Sequence, residues 1–149
     1  MMEIEAVEKI KFTVAAIMLV TEGITDLRKK EIRLGVVAVS ALVGIAVSIP
    51  CFSSSIVRIL LGIAEGGMLI LLSFLTGGGI GIGDGLICCA CGILLGAKDN
   101  FTMFSIAFLI CAIFSLVLIV CKKIGRKSTV PFVPFLIPAF LLTVCMRYV

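Results

Sequence analysis

The chain contains no histidine, and that absence removes several chemistries at once. A Ser-His-Asp triad, a histidine general base and a histidine metal ligand are all excluded. Charge is scarce: 15% of the residues are Asp, Glu, Lys or Arg, against about 25% in soluble domains. Cys88-Cys89-Ala90-Cys91 holds a C-x-x-C spacing, but no second pair accompanies it, which leaves metal or redox work without its usual partner motif. The seven cysteines are odd in number and lie mostly in apolar runs, where free cysteine behaves as a small hydrophobe. The one glycine-rich stretch lacks the Lys-Ser/Thr of a phosphate loop and never takes the G-x-G-x-x-G spacing, so nucleotide binding has no support. A cleavable signal peptide is not expected either. Glu3, Glu5 and Glu8 precede Phe12–Val20, the apolar heart of the first span, and no A-x-A-like site follows it. The chain is read as mature.

What is present is hydrophobic. Apolar residues make up 61% of the 149 positions, and the mean hydropathy is +1.30. Soluble domains average about 45–50% apolar residues, so the composition is that of a membrane protein. At roughly 20 residues per spanning helix, the length allows six helices with short loops. The expectation is an all-α, six-helix transmembrane bundle forming a single integral-membrane domain over residues 1–149. The net charge of +4 would suggest nucleic acid in a soluble protein. Here the basic residues fall in two short clusters between apolar runs, which points to topology and to lipid headgroups rather than to a nucleic-acid partner.

The apolar runs fall at about 6–25, 34–49, 56–74, 85–97, 101–121 and 130–144. The first basic cluster, Asp26-Leu27-Arg28-Lys29-Lys30-Glu31-Ile32-Arg33, follows the first run. The second, Lys122-Lys123-Ile124-Gly125-Arg126-Lys127, follows the fifth. Ser53-Ser54-Ser55 reads as a polar turn and Lys98-Asp99-Asn100 as a tight loop. Pro131, Pro134 and Pro138 predict irregular first turns in the last span. Connections after the odd-numbered spans carry Arg28, Lys29, Lys30, Arg33, Lys122, Lys123, Arg126 and Lys127, eight of the 13 basic residues. The positive-inside rule puts that side in the cytoplasm and both termini outside. Small residues recur at four-residue spacing in Gly62/Gly66, Gly81/Gly85 and Gly92/Gly96, a pattern of close helix packing.

With histidine, metal and nucleotide motifs set aside, carboxylates remain. Glu22, Asp26, Glu65 and Asp84 lie within or at the edge of the spans, where a charge is costly and usually functional. Thr76-Gly77-Gly78-Gly79-Ile80-Gly81-Ile82-Gly83-Asp84-Gly85 sets six glycines around one of them. The expectation is that Gly81, Gly83 and Gly85 leave room for an extended strand to approach Asp84. Helix parity puts Asp26 and Asp84 at the same cytoplasmic membrane edge. Two facing carboxylates can hydrolyse a peptide bond with no cofactor and no metal. One, ionised, takes a proton from water; the other, protonated, gives one to the carbonyl oxygen, and two like charges about 3 Å apart enforce that split. The residues alone do not say which acid plays which part. Asp84 also suits an N-cap at a helix start, and Asp26 also suits a charge bordering a basic loop. Glu22, four residues before Asp26 on the same helix face, is a candidate for tuning the pair or lining a water path, and equally for a packing or hydrogen-bond role. Glu65 is expected to pair with a neighbouring polar group.

Gly81-Ile82-Gly83-Asp84 resembles the G-x-G-D motif of the type IV prepilin peptidase family. Asp26-Leu27-Arg28, followed by Ile32, resembles that family's first aspartate motif. Val130-Pro131-Phe132-Val133-Pro134-Phe135-Leu136 resembles its proline-rich entry to the last span. The three motifs occur in the family's order over nearly the whole chain. Two positions depart from the pattern: Arg33 stands where Pro is usual, and Leu86 where Lys is frequent. The resemblance implies an intramembrane aspartic endopeptidase with Asp26 and Asp84 as the catalytic pair. It would act at the cytoplasmic face of the cell membrane, on prepilin or pseudopilin substrates with a short basic leader. It also implies cleavage alone, because the domain with two C-x-x-C pairs that N-methylates the new terminus in larger members is missing. The alternative from another class is a small proton-coupled transporter or channel, with the four acids as a relay.

Overall fold

The computed structural model describes residues 2–29, 32–49, 52–77, 81–121 and 130–148. The proposed helix end at Pro50, the Lys30–Glu31 part of the first basic cluster, residues 78–80 of the glycine stretch and the whole second basic cluster, 122–127, lie outside them. Six helices form among the described residues: α1 (Met2–Lys29), α2 (Leu34–Ser48), α3 (Phe52–Leu75), α4 (Ile82–Leu95), α5 (Ala97–Val120) and α6 (Val133–Tyr148). The chain is all-helical, as the six apolar runs require. Two segments, Ile56–Leu75 and Ala97–Val120, are long and apolar enough to cross a membrane; Leu34–Ser48, Ile82–Leu95 and Val133–Arg147 are shorter apolar helices.

Several boundaries differ from the expected ones, and the differences at the starts of α3 and α5 have one cause. A helix's first N–H groups have no intrahelical partner, so polar residues are at home in its first turn. Ser53, Ser54 and Ser55 are thus the first turn of α3 rather than a separate turn. Lys98, Asp99 and Asn100 open α5 rather than forming a loop. The chain reverses instead at Gly96 alone, whose φ of +81° is open to glycine and costly for other residues. α1 runs on past Asp26 to Lys29, and α4 starts at Ile82, three residues before the expected start.

The helices α2, α1, α6, α5 and α3 form an arc, and α4 fills it, packing against α1, α2, α3 and α5. Ile87, Cys88, Ala90, Cys91 and Leu94 of α4 are buried against Met18, Leu19, Met103 and Leu136. The closest pairing is α3 with α4. A Cβ on Gly62 would lie 2.6 Å from Gly92 Cα, and one on Gly85 would lie 2.5 Å from Ile70 Cγ1. Backbone-to-backbone approach of this kind is what small-xxx-small spacing allows, so Gly62, Gly66, Gly85 and Gly92 take the packing role read from their spacing. Outward, the surface is apolar: Leu71, Phe74 and Leu75 on α3 and Leu109, Leu116 and Val120 on α5 are exposed. Such a continuous apolar exterior is a liability in water and the normal surface in lipid, so the fold is consistent with a helical membrane protein.

The two ends of the bundle are tied differently. At one end Arg147 of α6 makes ion pairs with Glu8 of α1, at 2.7 Å, and with Asp99 of α5. Its guanidinium also lies 5.1 Å from the centroid of the Phe12 ring. The other end holds the C-terminal turn of α1 and the first turns of α4 and α6, and that is where Asp26 and Asp84 sit.

Candidate active site

Asp26 lies in the last turns of α1 and is only 8% exposed. Its Oδ2 accepts the backbone N–H of Val133 at 3.1 Å. Val133 is the first residue of α6, so this donor is one that the helix itself leaves unused, and the positive helix end favours a carboxylate. The proline-rich entry makes the contact available. Pro134 follows within the first turn, where its missing N–H costs nothing. Phe132, just ahead, stacks on Phe108 at 4.7 Å and lies 6.0 Å from Phe104, which anchors the start of α6 on α5. Pro138 is accommodated further along, inside the helix.

Asp84 occupies the first turn of α4, with Gly81 as the N-cap in extended conformation. A glycine N-cap has no side chain to satisfy the helix start, and Asp84 reaches back instead: its carboxylate accepts the Gly81 N–H. This is the returning half of a capping box. Asp84 is therefore not itself the N-cap, although it does serve the helix start. It is half-buried, and the charge of Asp26 is close enough to act on it. Two carboxylates from different helices, each held by an N–H at a helix start, thus share one end of the bundle.

The glycines around Asp84 do not act alike. Gly81 abuts the Asp84 carboxylate, with its Cβ position 3.0 Å from Oδ2. Gly83 is covered by Ile32: a Cβ there would overlap Ile32 Cδ1 and lie 3.1 Å from Cγ1. Gly85 faces α3 and serves packing. The expectation of a flexible stretch open to an extended strand is corrected for Gly83 and Gly85, which are helical and already occupied by neighbours. Their small size lets Ile32 and Ile70 come close.

Glu22, one turn before Asp26, is fully buried, and its Oε2 accepts the Arg33 N–H at 2.9 Å. Glu65 does pair with a polar group: Asn100 Nδ2 donates to its Oε2 at 2.8 Å and lies 3.3 Å from both the carbonyl oxygen and Sγ of Cys88. This seats Glu65 in a contact joining α3, α4 and α5. Asn100 is fully buried, so its replacement by alanine leaves the Glu65 carboxylate without its donor. Asn100→Ala is expected to lower stability by about 2 kcal/mol, read as the shift of the unfolding midpoint in detergent. A change under about 0.5 kcal/mol, the scale of an ordinary surface substitution, would contradict the contact's role.

With this geometry in place, the family comparison is decisive. The model of the type IV leader peptidase family matches residues 13–116. The chain belongs to that family. Compared with curated proteins and with solved structures, it matches none. The family is one of aspartic-type leader peptidases, and this chain is accordingly a protease. The matched span of the peptidase runs from α1 into α5 and contains both Asp26 and Asp84. It stops short of α6, so the Val133 N–H beside Asp26 comes from outside the matched region.

Sequence reasoning placed Asp26, Asp84 and Gly81 together, and the fold does the same. It missed the Val133 N–H, because a backbone donor leaves no mark on residue identity; the prolines flanking it were the available signal. It also missed Asn100 as the partner of Glu65, having read it as a loop residue. Asn100 is the chain's single asparagine, and there is no glutamine. A lone amide next to apolar runs was the signal for a buried hydrogen bond.

Proposed function

We propose that Asp26 and Asp84 are the catalytic pair of an intramembrane endopeptidase that removes the leader of prepilin-like proteins. The observation that carries the reading is the convergence of these two carboxylates, from α1 and α4, at one end of the bundle within electrostatic reach of each other. The pair holds one proton between its two members. The ionised member draws a proton from water as the water oxygen attacks the scissile carbonyl carbon. The protonated member hands its proton to the carbonyl oxygen, giving a tetrahedral diol. As the C–N bond breaks, the proton taken from water passes to the leaving nitrogen, a diol hydroxyl returns its proton to the other carboxylate as the carboxyl C=O forms, and the pair again holds one proton. The N–H donors of Gly81 and Val133 fix where each carboxylate points, so little reorganisation is needed when substrate arrives.

The chain spans the membrane six times as a single domain, with both termini outside and the aspartates at the cytoplasmic edge. Support comes from the distribution of basic residues and from the apolar exterior. The substrate's apolar segment would lie in the bilayer against α4–α6, with its basic leader in the cytoplasm. Family membership weighs against the proton-coupled transporter. Because the chemistry needs only carboxylates and water, cleavage of a leader-bearing substrate by the protein in liposomes is expected to persist in excess EDTA without any added cofactor. Loss of cleavage on chelation, restored by a divalent metal, would contradict it.

A further inference from the structure

Glu22 is a fully buried acid for which the two-carboxylate chemistry has no use. A carboxylate in that setting is expensive unless something specific holds it. Its Oε2 accepts the N–H of Arg33, the N-cap residue of α2. The residue just before, Ile32, lays its side chain over Gly83 of α4; the Cβ position of Gly83 is 3.3 Å from Ile32 Cβ. Gly83 is bonded to Asp84. A continuous path therefore runs from Glu22 through Arg33 and Ile32 to the first turn of α4. Glu22 also stands one turn from Asp26 on α1, so the path closes on the partner carboxylate. Each end of it is one step from an aspartate.

We infer that Glu22 is a positioning residue that seats the Ile32–Arg33 segment on Gly83 and thereby sets the spacing of Asp26 and Asp84. The inference rests on reading those aspartates as the catalytic pair. What Glu22 supplies is a hydrogen-bond acceptor at a fixed place. Its charge is incidental, and that separates this role from electrostatic tuning of the pair.

The test uses the full chain in liposomes with a leader-bearing substrate, and a cross-link that does not depend on chemistry. Ile32→Cys with Gly83→Cys brings two Cβ atoms close to the roughly 3.5–4.5 Å spacing of a disulfide. Mild oxidation should join them, with the parent chain as control. Glu22→Ala is expected to cut the cross-link yield several-fold. It should also lower kcat roughly tenfold, short of the ~10²-fold that a 1 Å misplacement can cost, with KM nearly unchanged. Glu22→Gln keeps an acceptor oxygen and is expected to restore both readouts. Ile32→Ala, which leaves the Glu22 contact in place, should lower kcat similarly and keeps the test informative if Glu22→Ala does not insert. A cross-link indifferent to Glu22→Ala, a Glu22→Gln variant as impaired as Glu22→Ala, or an unimpaired Ile32→Ala would each overturn the inference. Failure of the catalytic-pair reading shows up elsewhere, as activity in Asp84→Asn, and leaves the cross-link result standing.

Discussion

Asp26→Asn and Asp84→Asn are each expected to lower leader cleavage by about 10⁴-fold or more, and the double variant should be no worse than either alone. Groups that act as a unit in one chemical step lose nearly everything when one member goes, and further losses add little. Asparagine is nearly the same size as aspartate, and its carbonyl oxygen can still accept the N–H of Val133 at position 26 or of Gly81 at position 84. The helix starts that rely on those acceptors should therefore remain in place. What is lost is the ability to exchange a proton with water and with the scissile carbonyl. Single-turnover cleavage by membranes matched for inserted protein measures the effect. Insertion and unfolding midpoint close to those of the parent would assign it to chemistry rather than to folding.

The second large effect is expected at Gly83. A Cβ there would overlap Ile32 Cδ1, so Gly83→Ala must push Ile32, and the α1–α2 connection with it, away from α4. A displacement of about 1 Å near the reacting groups can cost about 10²-fold in rate, and a loss of that order is expected. Adding Ile32→Val removes the methyl group that the new Cβ strikes, and the double variant should recover most of the activity. Volume-conserving exchanges are the ones packed sites tolerate best. If the glycine instead kept a path clear for the substrate backbone, Ile32→Val would not help. Cleavage rates of the two single variants and the double variant decide the matter.

The parts of this protein legible in its sequence are those written in hydropathy and charge. Six apolar runs gave six helices, and the alternation of their direction brought Asp26 and Asp84 to one end of the bundle. The four-residue glycine spacing foretold the Gly62–Gly92 approach of α3 and α4. Helix starts were less legible, because a first turn accepts serine, aspartate, asparagine or glycine as readily as a loop does. For that reason Ser53, Lys98 and Gly83 read as lying outside helices that include them. Least legible were contacts made through the backbone or across long sequence gaps. Val133 N–H to Asp26 spans 107 residues and Arg147 to Glu8 spans 139, and neither leaves a local pattern. Glu22 belongs to the same class, since its position on the Asp26 face was readable but its partner, a main-chain N–H, was not.

On the proposed mechanism, the two aspartates at the shared end of α1 and α4 perform the cleavage. Its most direct test is co-expression of the chain with a protein carrying a short basic leader ahead of an apolar helix. The mass and N-terminal sequence of that substrate are then read for the parent and for Asp84→Asn. Mature substrate is expected with the parent and intact precursor with the variant, at equal membrane levels. Leader removal by Asp84→Asn at the parent's rate would contradict it.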